Sequence, residues 1–236
     1  MNKIISLLLL LFLSSILNAQ DLVYFTDAKT NKCGYKDKSG KIVIDAKYDY
    51  TKNFTRGGIA KVNIGGKYFQ GNFGDGHWGY IDATGKEVIP IKYDAVGALP
   101  FGNDFSEGRV PVELDHKWGY VDSATGKELD SLKYDKAFAF KEGLGPVKLG
   151  DKEGRVDKSG REVIPVIYDE IQKFDSYKGI AAAKLNGKWG YIDKLGKQVI
   201  PFKYDRVSTY FIQGKSKVKL NNEEYFIDMT GKQLKD

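Results

Sequence analysis

One sequence motif recurs along the chain. Residues 188–205 read KWGYIDKLGKQVIPFKYD, and residues 78–94 read WGYIDATGKEVIPIKYD. In five copies, eight residues separate a turn glycine from the tyrosine of a Tyr-Asp pair: Gly40 and Tyr48, Gly85 and Tyr93, Gly126 and Tyr134, Gly160 and Tyr168, Gly196 and Tyr204. The aspartate that ends each WGYID-like segment recurs at intervals of 45, 40, 35, 36 and 35 residues, at Asp37, Asp82, Asp122, Asp157, Asp193 and Asp228. Repetition at a fixed period indicates a repeat architecture, so we expect about six units with two insertions.

Each unit has the pattern of short antiparallel strands. In residues 180–185, IAAAKL, the side chains from Ala181 to Leu185 alternate between two faces, which predicts a half-buried strand. Asn186-Gly187 favours a type I′ hairpin, because both turn positions need a positive φ. The segments KWGYID and KQVIPFKYD, joined by a turn at Gly196, predict two further strands. The predicted unit is a three-stranded antiparallel meander.

Proline recurs at one place in the third strand of three units, at Pro90, Pro165 and Pro201. Because proline has no N–H to donate to a strand ladder, we expect this strand to be a sheet edge or to be bulged there.

The sequence therefore predicts an all-β fold, in which about six three-stranded meanders stack as an open, solenoid-like coil. Stacking buries the face that a single meander leaves open. The alternative is a closed ring like a β-propeller, whose blades usually have four strands in about 40 to 50 residues. Three strands in about 35 residues favour the open stack.

The segments HWGYID, KWGYVD and KWGYID, each followed by a Gly-Lys turn, resemble the WG-repeat family, which is named for its Trp-Gly pair. The resemblance extends from about Leu22 to Lys235, although the first, fourth and sixth units lack the tryptophan. It implies β-rich repeats and brings no catalytic residue with it.

The N-terminus has the pattern of a secretory leader. Lys3 precedes an apolar run from Ile4 to Leu17, and Ala19 is a small residue at which a signal peptidase can cut. We predict a signal peptide over residues 1–19 and one repeat domain over residues 20–236. The alternative is a retained anchor, but the run is short for a membrane span. We expect an exported protein in the periplasm, on the outer surface or in the medium, with no transmembrane span after cleavage.

Charge and cysteine content narrow the function classes. The net charge of +6 fits contact with anionic surfaces, but an exported chain is not expected to bind nucleic acid. The single Cys33 cannot form an intramolecular disulfide, and no Cys/His spacing predicts a metal site. We therefore predict no metal and no cofactor.

The repeated acids Asp82, Asp122, Asp157 and Asp193 are best explained as turn caps. Glycosidase carboxylates face each other across a cleft, and a calcium loop needs several oxygen ligands, whereas each turn here has one carboxylate. His77 and His116 lie close to tryptophans, but no Gly-x-Ser-x-Gly motif is present. We predict no catalytic residue and no enzymatic activity.

The repeated aromatic residues are predicted to form the core between units. This set is Trp78, Trp118, Trp189, Tyr80, Tyr120, Tyr191, Tyr93 and Tyr204. Their large apolar area favours packing. The alternative for the tryptophans is that they are exposed platforms on which sugars stack.

Two insertions near the second unit, residues 65–77 and 97–108, are candidate binding loops. They carry the aromatic side chains Tyr68, Phe69, Phe73, His77, Phe101 and Phe105. Long loops in repeat arrays often lie on one face and bind partners. The alternative for both insertions is an extended hairpin with no ligand.

The sequence is compatible with two functions. The first is a non-enzymatic, exported interaction or structural module that holds an unknown protein. The second is a module that binds an envelope glycan or cell-wall polymer through exposed aromatic residues.

Overall fold

The computed structural model describes residues 19–69, 72–97, 105–175 and 178–235, and of residues 68, 69, 72 and 73 only the backbone. Residues 1–18, which hold almost all of the predicted leader, lie outside the described part. The described chain is almost entirely β, and its one helical element is a 3-10 turn at Ala19–Asp21. The predicted all-β repeat fold is confirmed.

The strands form six sheets in chain order. The first sheet holds β1 (Val23–Thr26), β2 (Cys33–Lys36) and β3 (Ile42–Tyr48). The second holds β4 (Tyr50–Thr51), β5 (Ile59–Ile64), β8 (His77–Asp82) and β9 (Glu87–Tyr93), with β6 (Lys67–Phe69) and β7 (Asn72–Gly74) forming a separate hairpin between β5 and β8. The third holds β10 (Ala95–Val96), β11 (Arg109–Leu114) and β12 (Lys117–Asp122).

The remaining three sheets repeat this plan. The fourth holds β13 (Lys136–Ala137), β14 (Gly145–Leu149), β15 (Lys152–Val156) and β16 (Glu162–Tyr168). The fifth holds β17 (Glu170–Ile171), β18 (Ile180–Leu185), β19 (Lys188–Asp193) and β20 (Gln198–Tyr204). The sixth holds β21 (Arg206–Val207), β22 (Ser216–Leu220) and β23 (Glu223–Ile227).

The repeating unit has one more strand than the sequence predicts. In the second, fourth and fifth sheets a two-residue strand precedes the three predicted strands and pairs antiparallel with the first of them. The chain enters this short strand directly after the Tyr-Asp pair: β16 ends at Tyr168, and β17 begins at Glu170. The Tyr-Asp pair is therefore the junction between consecutive sheets.

The third long strand is a bulged sheet edge, as the prolines predict. Tyr191 pairs with Ile200 and Trp189 pairs with Tyr204, so two residues on β19 are matched by four on β20, around Pro201. The same shift occurs in the first sheet between β2 and β3, where no proline is present. Proline is thus compatible with the bulge but is not its cause.

In the first, second, fourth and fifth sheets, a glycine on the second long strand allows the bulge. A Cβ on Gly190 would lie 2.6 Å from the carbonyl oxygen of Ile200, and a Cβ on Gly34 would lie 2.5 Å from that of Ile44. The bulged strand crosses directly over these glycines, and only a residue without a side chain allows so close an approach.

The cores lie between consecutive sheets. One cluster joins Tyr35 and Tyr48 of the first sheet to Val62 of the second, and another joins Tyr191 and Ile200 of the fifth sheet to residues of the sixth. Five such clusters link the six sheets in chain order. This arrangement is that of a stacked array, in which each unit completes the core of its neighbour.

Closure into a ring is not found. Among the described residues, no strand pairing joins the first sheet to the sixth, and each of the five core clusters joins neighbouring sheets. In the part of the chain that the structure describes, no helix has the length and apolarity that crossing a membrane requires.

Candidate functional site

The repeated tyrosines are buried between the sheets. Tyr80 and Tyr191 are 1% exposed, Tyr120 is 3% exposed, and Tyr93 and Tyr204 are fully buried. Burial raises the pKa of Tyr191 to about 12, so the phenol is neutral at physiological pH. These side chains are occupied by packing and are not available to a ligand.

The three tryptophans differ in exposure. Trp118 is buried, whereas Trp78 and Trp189 are half-buried and pack against the cores. The Nζ of Lys61 lies 4.7 Å from the ring centroid of Trp78, and the Nζ of Lys184 lies 5.9 Å from that of Trp189. The half-buried rings therefore already hold cations against their faces.

The repeated turn acids cap their own turns, as predicted. Oδ1 of Asp82 accepts hydrogen bonds from the N–H groups of Thr84 (2.9 Å) and Lys86 (3.1 Å), and Oδ1 of Asp193 accepts from those of Leu195 and Lys197 (both 2.9 Å). These acids stabilise the hairpins. In the described residues no group of three or more His, Cys, Asp or Glu side chains is placed to hold a metal.

The first insertion forms a hairpin, in which Tyr68 pairs with Phe73 across the backbone ladder. The fully buried Asn63 links the two ends of this hairpin. Its side-chain nitrogen donates to the carbonyl of Asp75 (3.2 Å), and its side-chain oxygen accepts from the N–H of Gly66 (2.9 Å). His77 is exposed at the start of β8. The side chains of Tyr68, Phe69 and Phe73 and the whole of Phe101 lie outside what the structure describes.

Phe105 differs from its predicted role as a loop aromatic. Its ring packs edge-on against the ring of Tyr80, with centroids 4.7 Å apart, and it contacts the core between the second and third sheets. Phe105 therefore contributes to the array and is not a free side chain on a binding loop.

Phe105 belongs to a repeated ring pair that the sequence prediction missed. In four units the Trp-Gly-Tyr tyrosine, or its counterpart, packs against a phenylalanine of the next unit. The pairs are Tyr35 with Phe54, Tyr80 with Phe105, Tyr120 with Phe140 and Tyr191 with Phe211. Each of these phenylalanines lies three residues before a glycine. This spacing is a sequence signal for them, although Phe73 of the first insertion shares it.

The fourth unit breaks the pair. Its second strand reads KEGRVD, so that Glu153 replaces the tryptophan and Arg155 replaces the tyrosine opposite Phe174. Arg155 is only 8% exposed, and its guanidinium donates to the carbonyls of Gly154 (2.8 Å) and Ile171 (2.9 Å). In the first, third and fifth units the tyrosine hydroxyl donates to a carbonyl in this way, as Tyr120 does to Phe138 (2.8 Å). Desolvation lowers the pKa of Arg155.

A cavity of about 200 Å³ lies between the fourth and fifth sheets at this point. Arg155 and Phe174 both line it, in the positions where other units place two packed rings. Its apolar wall consists of Ala139, Leu144, Pro146, Ile171 and Phe174.

Positive charge predominates around the cavity. Its charged lining residues are Lys141, Glu142, Arg155, Lys173 and Lys194. The one acid among them, Glu142, forms an ion pair with Lys194 across the two units (2.8 Å). The neighbouring Glu153 accepts from Lys148 Nζ (2.8 Å) and from the N–H of Ile171 (3.1 Å), while its carboxylate lies 3.9 Å from the guanidinium of Arg155. The arrangement favours an anionic group.

Gln172 adds an acceptor to the same lining. Its side-chain oxygen is buried and receives no hydrogen bond from any described residue. A buried polar atom without a partner costs free energy, and a ligand that donates a hydrogen bond recovers it. The cavity thus combines one buried cationic donor, Arg155, with an apolar wall and one acceptor, which is a combination suited to binding a small group.

The family described as WG containing repeat matches residues 34–68, 78–118, 118–152, 154–189 and 189–223. No curated protein matches the chain. Among solved structures, the chain is similar to a eukaryotic initiation factor (10% identity, TM-score 0.39, over 92% of this chain and 63% of that one) and to the dihydro-heme d1 dehydrogenase NirN (11% identity, TM-score 0.36, over 92% and 53%). The chain spans less than two thirds of either structure, and at these TM-scores neither likeness bears on its fold or role. The five matched segments, by contrast, cover most of the described sheets, and the chain belongs to the WG-repeat family.

Proposed function

We propose that the chain is an exported, non-enzymatic interaction module that holds a protein partner on a rigid β array. One observation carries this proposal: the fourth unit exchanges its core aromatics for Glu153 and Arg155 and opens a cationic, partly apolar cavity between two sheets. Local departures from a consistent pattern tend to lie at functional sites.

Stability does not explain the departure. The four other Tyr–Phe pairs show that a tyrosine at this place packs on a phenylalanine and is buried. A buried arginine instead requires desolvation of a charge, and an apolar or aromatic replacement of similar size is often more stabilising. The arginine therefore costs stability, which supports a role in binding.

A protein partner fits the cavity better than a glycan. Five of the eleven residues that line it are apolar, and together they suit an apolar side chain. Sugar stacking on Trp78 or Trp189 is disfavoured because lysines already lie over their rings. The glycan-binding function remains the competing outcome of the test below.

Export rests on the leader pattern over residues 1–19. The proposal expects the mature protein, recovered from the native envelope or medium, to begin at Gln20. An N-terminus at Met1 in a membrane-bound fraction would contradict it.

The partner class is tested with the purified mature chain and an extract of the native envelope. The extract is divided, and one portion is treated with protease while another is treated with periodate, which oxidises sugars. We expect saturable binding of the untreated extract to survive periodate and to disappear after proteolysis. Loss after periodate alone would replace the protein partner with a glycan, and no binding to any portion would overturn the interaction role.

A further inference from the structure

The cavity at Arg155 has the features of a site for one terminal residue of a peptide chain. We propose that it captures the C-terminal residue of the protein partner, with the terminal carboxylate on Arg155 and the residue's apolar side chain against Phe174. This inference rests on the proposed function and names the part of the partner that is recognised.

The first argument is charge. Arg155 is the most buried cation of the lining, and Lys141, Lys173 and Lys194 add further positive charge around it. A guanidinium has five N–H donors in a planar fork that matches a carboxylate. Two hydrogen bonds to carbonyls fix its position, and the Glu153 carboxylate lies 3.9 Å from one of its nitrogens. Its other N–H groups can donate to an acceptor that enters the cavity.

The second argument is the acceptor beside it. Gln172 Oε1 is buried without a donor among the described residues. The C-terminal residue of a peptide carries a backbone N–H two bonds from its carboxylate carbon, so one residue supplies both the anion and the missing donor. A bare carboxylate, such as acetate, supplies only the anion.

The third argument is size and polarity. The volume of about 200 Å³ is below the roughly 300 to 1,000 Å³ of sites that accept drug-sized ligands, so the cavity suits one residue and not a long segment. Leu144, Ile171 and Phe174 form an apolar wall for its side chain. Sugar acids carry the anion, but they would place several hydroxyl groups against this wall, where few polar partners are available.

The test measures binding of short peptides to the mature chain. The probes are Gly-Ser-Gly-Ser-Leu with a free carboxylate, the same peptide with a C-terminal amide, the same peptide ending in aspartate amide, and galacturonate. We expect the free-carboxylate leucine peptide to bind best and its amide to bind about tenfold more weakly or worse, because a charge-assisted hydrogen bond is lost. Equal binding of the amide would overturn the proposal, and so would tighter binding of the aspartate amide or of galacturonate.

The control variant restores the repeat. Arg155→Tyr places a tyrosine opposite Phe174, as in the first, second, third and fifth units, and we expect a folded chain with unchanged or raised thermal stability that no longer binds the peptide. Arg155→Lys keeps the charge but not the planar fork and is expected to bind several-fold more weakly. Full peptide binding by a folded Arg155→Tyr variant would contradict the assignment of the site.

The two proposals fail separately. If no peptide binds while protease-sensitive binding of the envelope extract persists in Arg155→Tyr, the C-terminal site is wrong and the interaction module stands. If the extract does not bind to the parent chain, the module itself is wrong.

Discussion

At the scale of single residues, the Trp-Gly pair has a steric explanation. The backbone of the bulged strand passes so close to Gly190 that a Cβ would meet the Ile200 carbonyl at 2.6 Å and the Phe202 amide nitrogen at 2.9 Å. Gly34, Gly79 and Gly154 face the same backbone contact in their own sheets. The fold of these four units thus requires the glycine. In the third unit a Cβ on Gly119 would instead meet the Leu132 side chain at 2.5 Å, and in the sixth unit Tyr225 occupies the position.

Gly190→Ala is expected to destabilise the chain by about 1 to 3 kcal/mol, because the backbone atoms that the new methyl group meets must shift. Gly57→Ala is the matched control, since a Cβ there meets only the Thr55 hydroxyl at 3.6 Å. We expect the control to change the free energy of unfolding by less than about 0.5 kcal/mol. Urea unfolding followed by circular dichroism measures both, and equal effects of the two substitutions would contradict the steric explanation.

The sequence predicts a residue's role when that role depends only on its neighbours along the chain. Asn186 and Gly187 adopt the two positive φ angles, 50° and 80°, that the Asn-Gly turn predicts. The role of Arg155 could not be predicted from the sequence, because it depends on Phe174. That residue lies 19 residues further along, between β17 and β18 of the fifth sheet. The ring pairs of the other units define that relation, and they become visible only once the sheets are stacked.

At the scale of elements, the Tyr-Asp junction joins consecutive units. Asp135 accepts a hydrogen bond from Lys117 (2.7 Å) of its own unit and another from the N–H of Gly150 (2.7 Å) in the next unit's hairpin. Asp205 binds Lys188 (2.5 Å) and the N–H of Asn221 (2.9 Å) in the same way. Each aspartate therefore ties a strand end to the following hairpin.

These junctions make stability dependent on pH in the acid range. The lysine hydrogen bond, followed by the backbone N–H bond, holds the pKa of Asp135, Asp169 and Asp205 below the ordinary value of 3.8. A lowered folded-state pKa contributes stability above the unfolded-state pKa, and that contribution is lost as the pH falls through the folded-state value. We expect the free energy of unfolding to be nearly constant above about pH 5 and to fall below pH 3.8.

The triple variant Asp135→Asn, Asp169→Asn and Asp205→Asn tests this origin. It removes three titrating groups, so its stability should depend less on pH in the acid range. Part of the pH dependence should remain, because the pKa values of the turn aspartates are also lowered. Asp94→Asn is the control, because His77 occupies the place of the lysine in that unit. Urea unfolding at a series of pH values measures the slope, and an unchanged slope in the triple variant would show that the junctions are not its source.

The long strands were predictable, but the fourth strand of the unit was not. Strands such as β18 and β19 carry an alternating pattern over six residues each, with a turn signal between them. Strands β13, β17 and β21 have two residues each, and two residues carry no periodicity. Their pairing follows from the Tyr-Asp junction, which directs the chain back along the next sheet.

At the scale of the whole molecule, the array distributes its core over five interfaces between neighbours. In such an array, stability is close to a sum of unit terms and nearest-neighbour terms. The sixth sheet shares one of the five clusters, whereas the fourth sheet shares two. The end of the chain should therefore open more easily than its middle.

Two matched substitutions test this organisation. Val147 is fully buried in the cluster between the third and fourth sheets, and Val218 is 2% exposed in the cluster between the fifth and sixth. Replacing either valine with alanine removes two buried methyl groups, at a cost of about 2 kcal/mol. The two substitutions weaken different interfaces. Val218→Ala should therefore make the sixth sheet alone open more easily, whereas Val147→Ala should destabilise both the third and the fourth sheet.

Hydrogen exchange of the backbone amides distinguishes these outcomes. In Val218→Ala we expect faster exchange over residues 206–227, with the protection of β2 and β12 unchanged. In Val147→Ala we expect faster exchange in β12, β14 and β15 together, since the interface that joins their sheets is weakened. If Val218→Ala instead lowered protection evenly through all six sheets, the units would unfold in a single concerted step, as a closed ring would. That result would contradict the open array and would favour the propeller-like alternative.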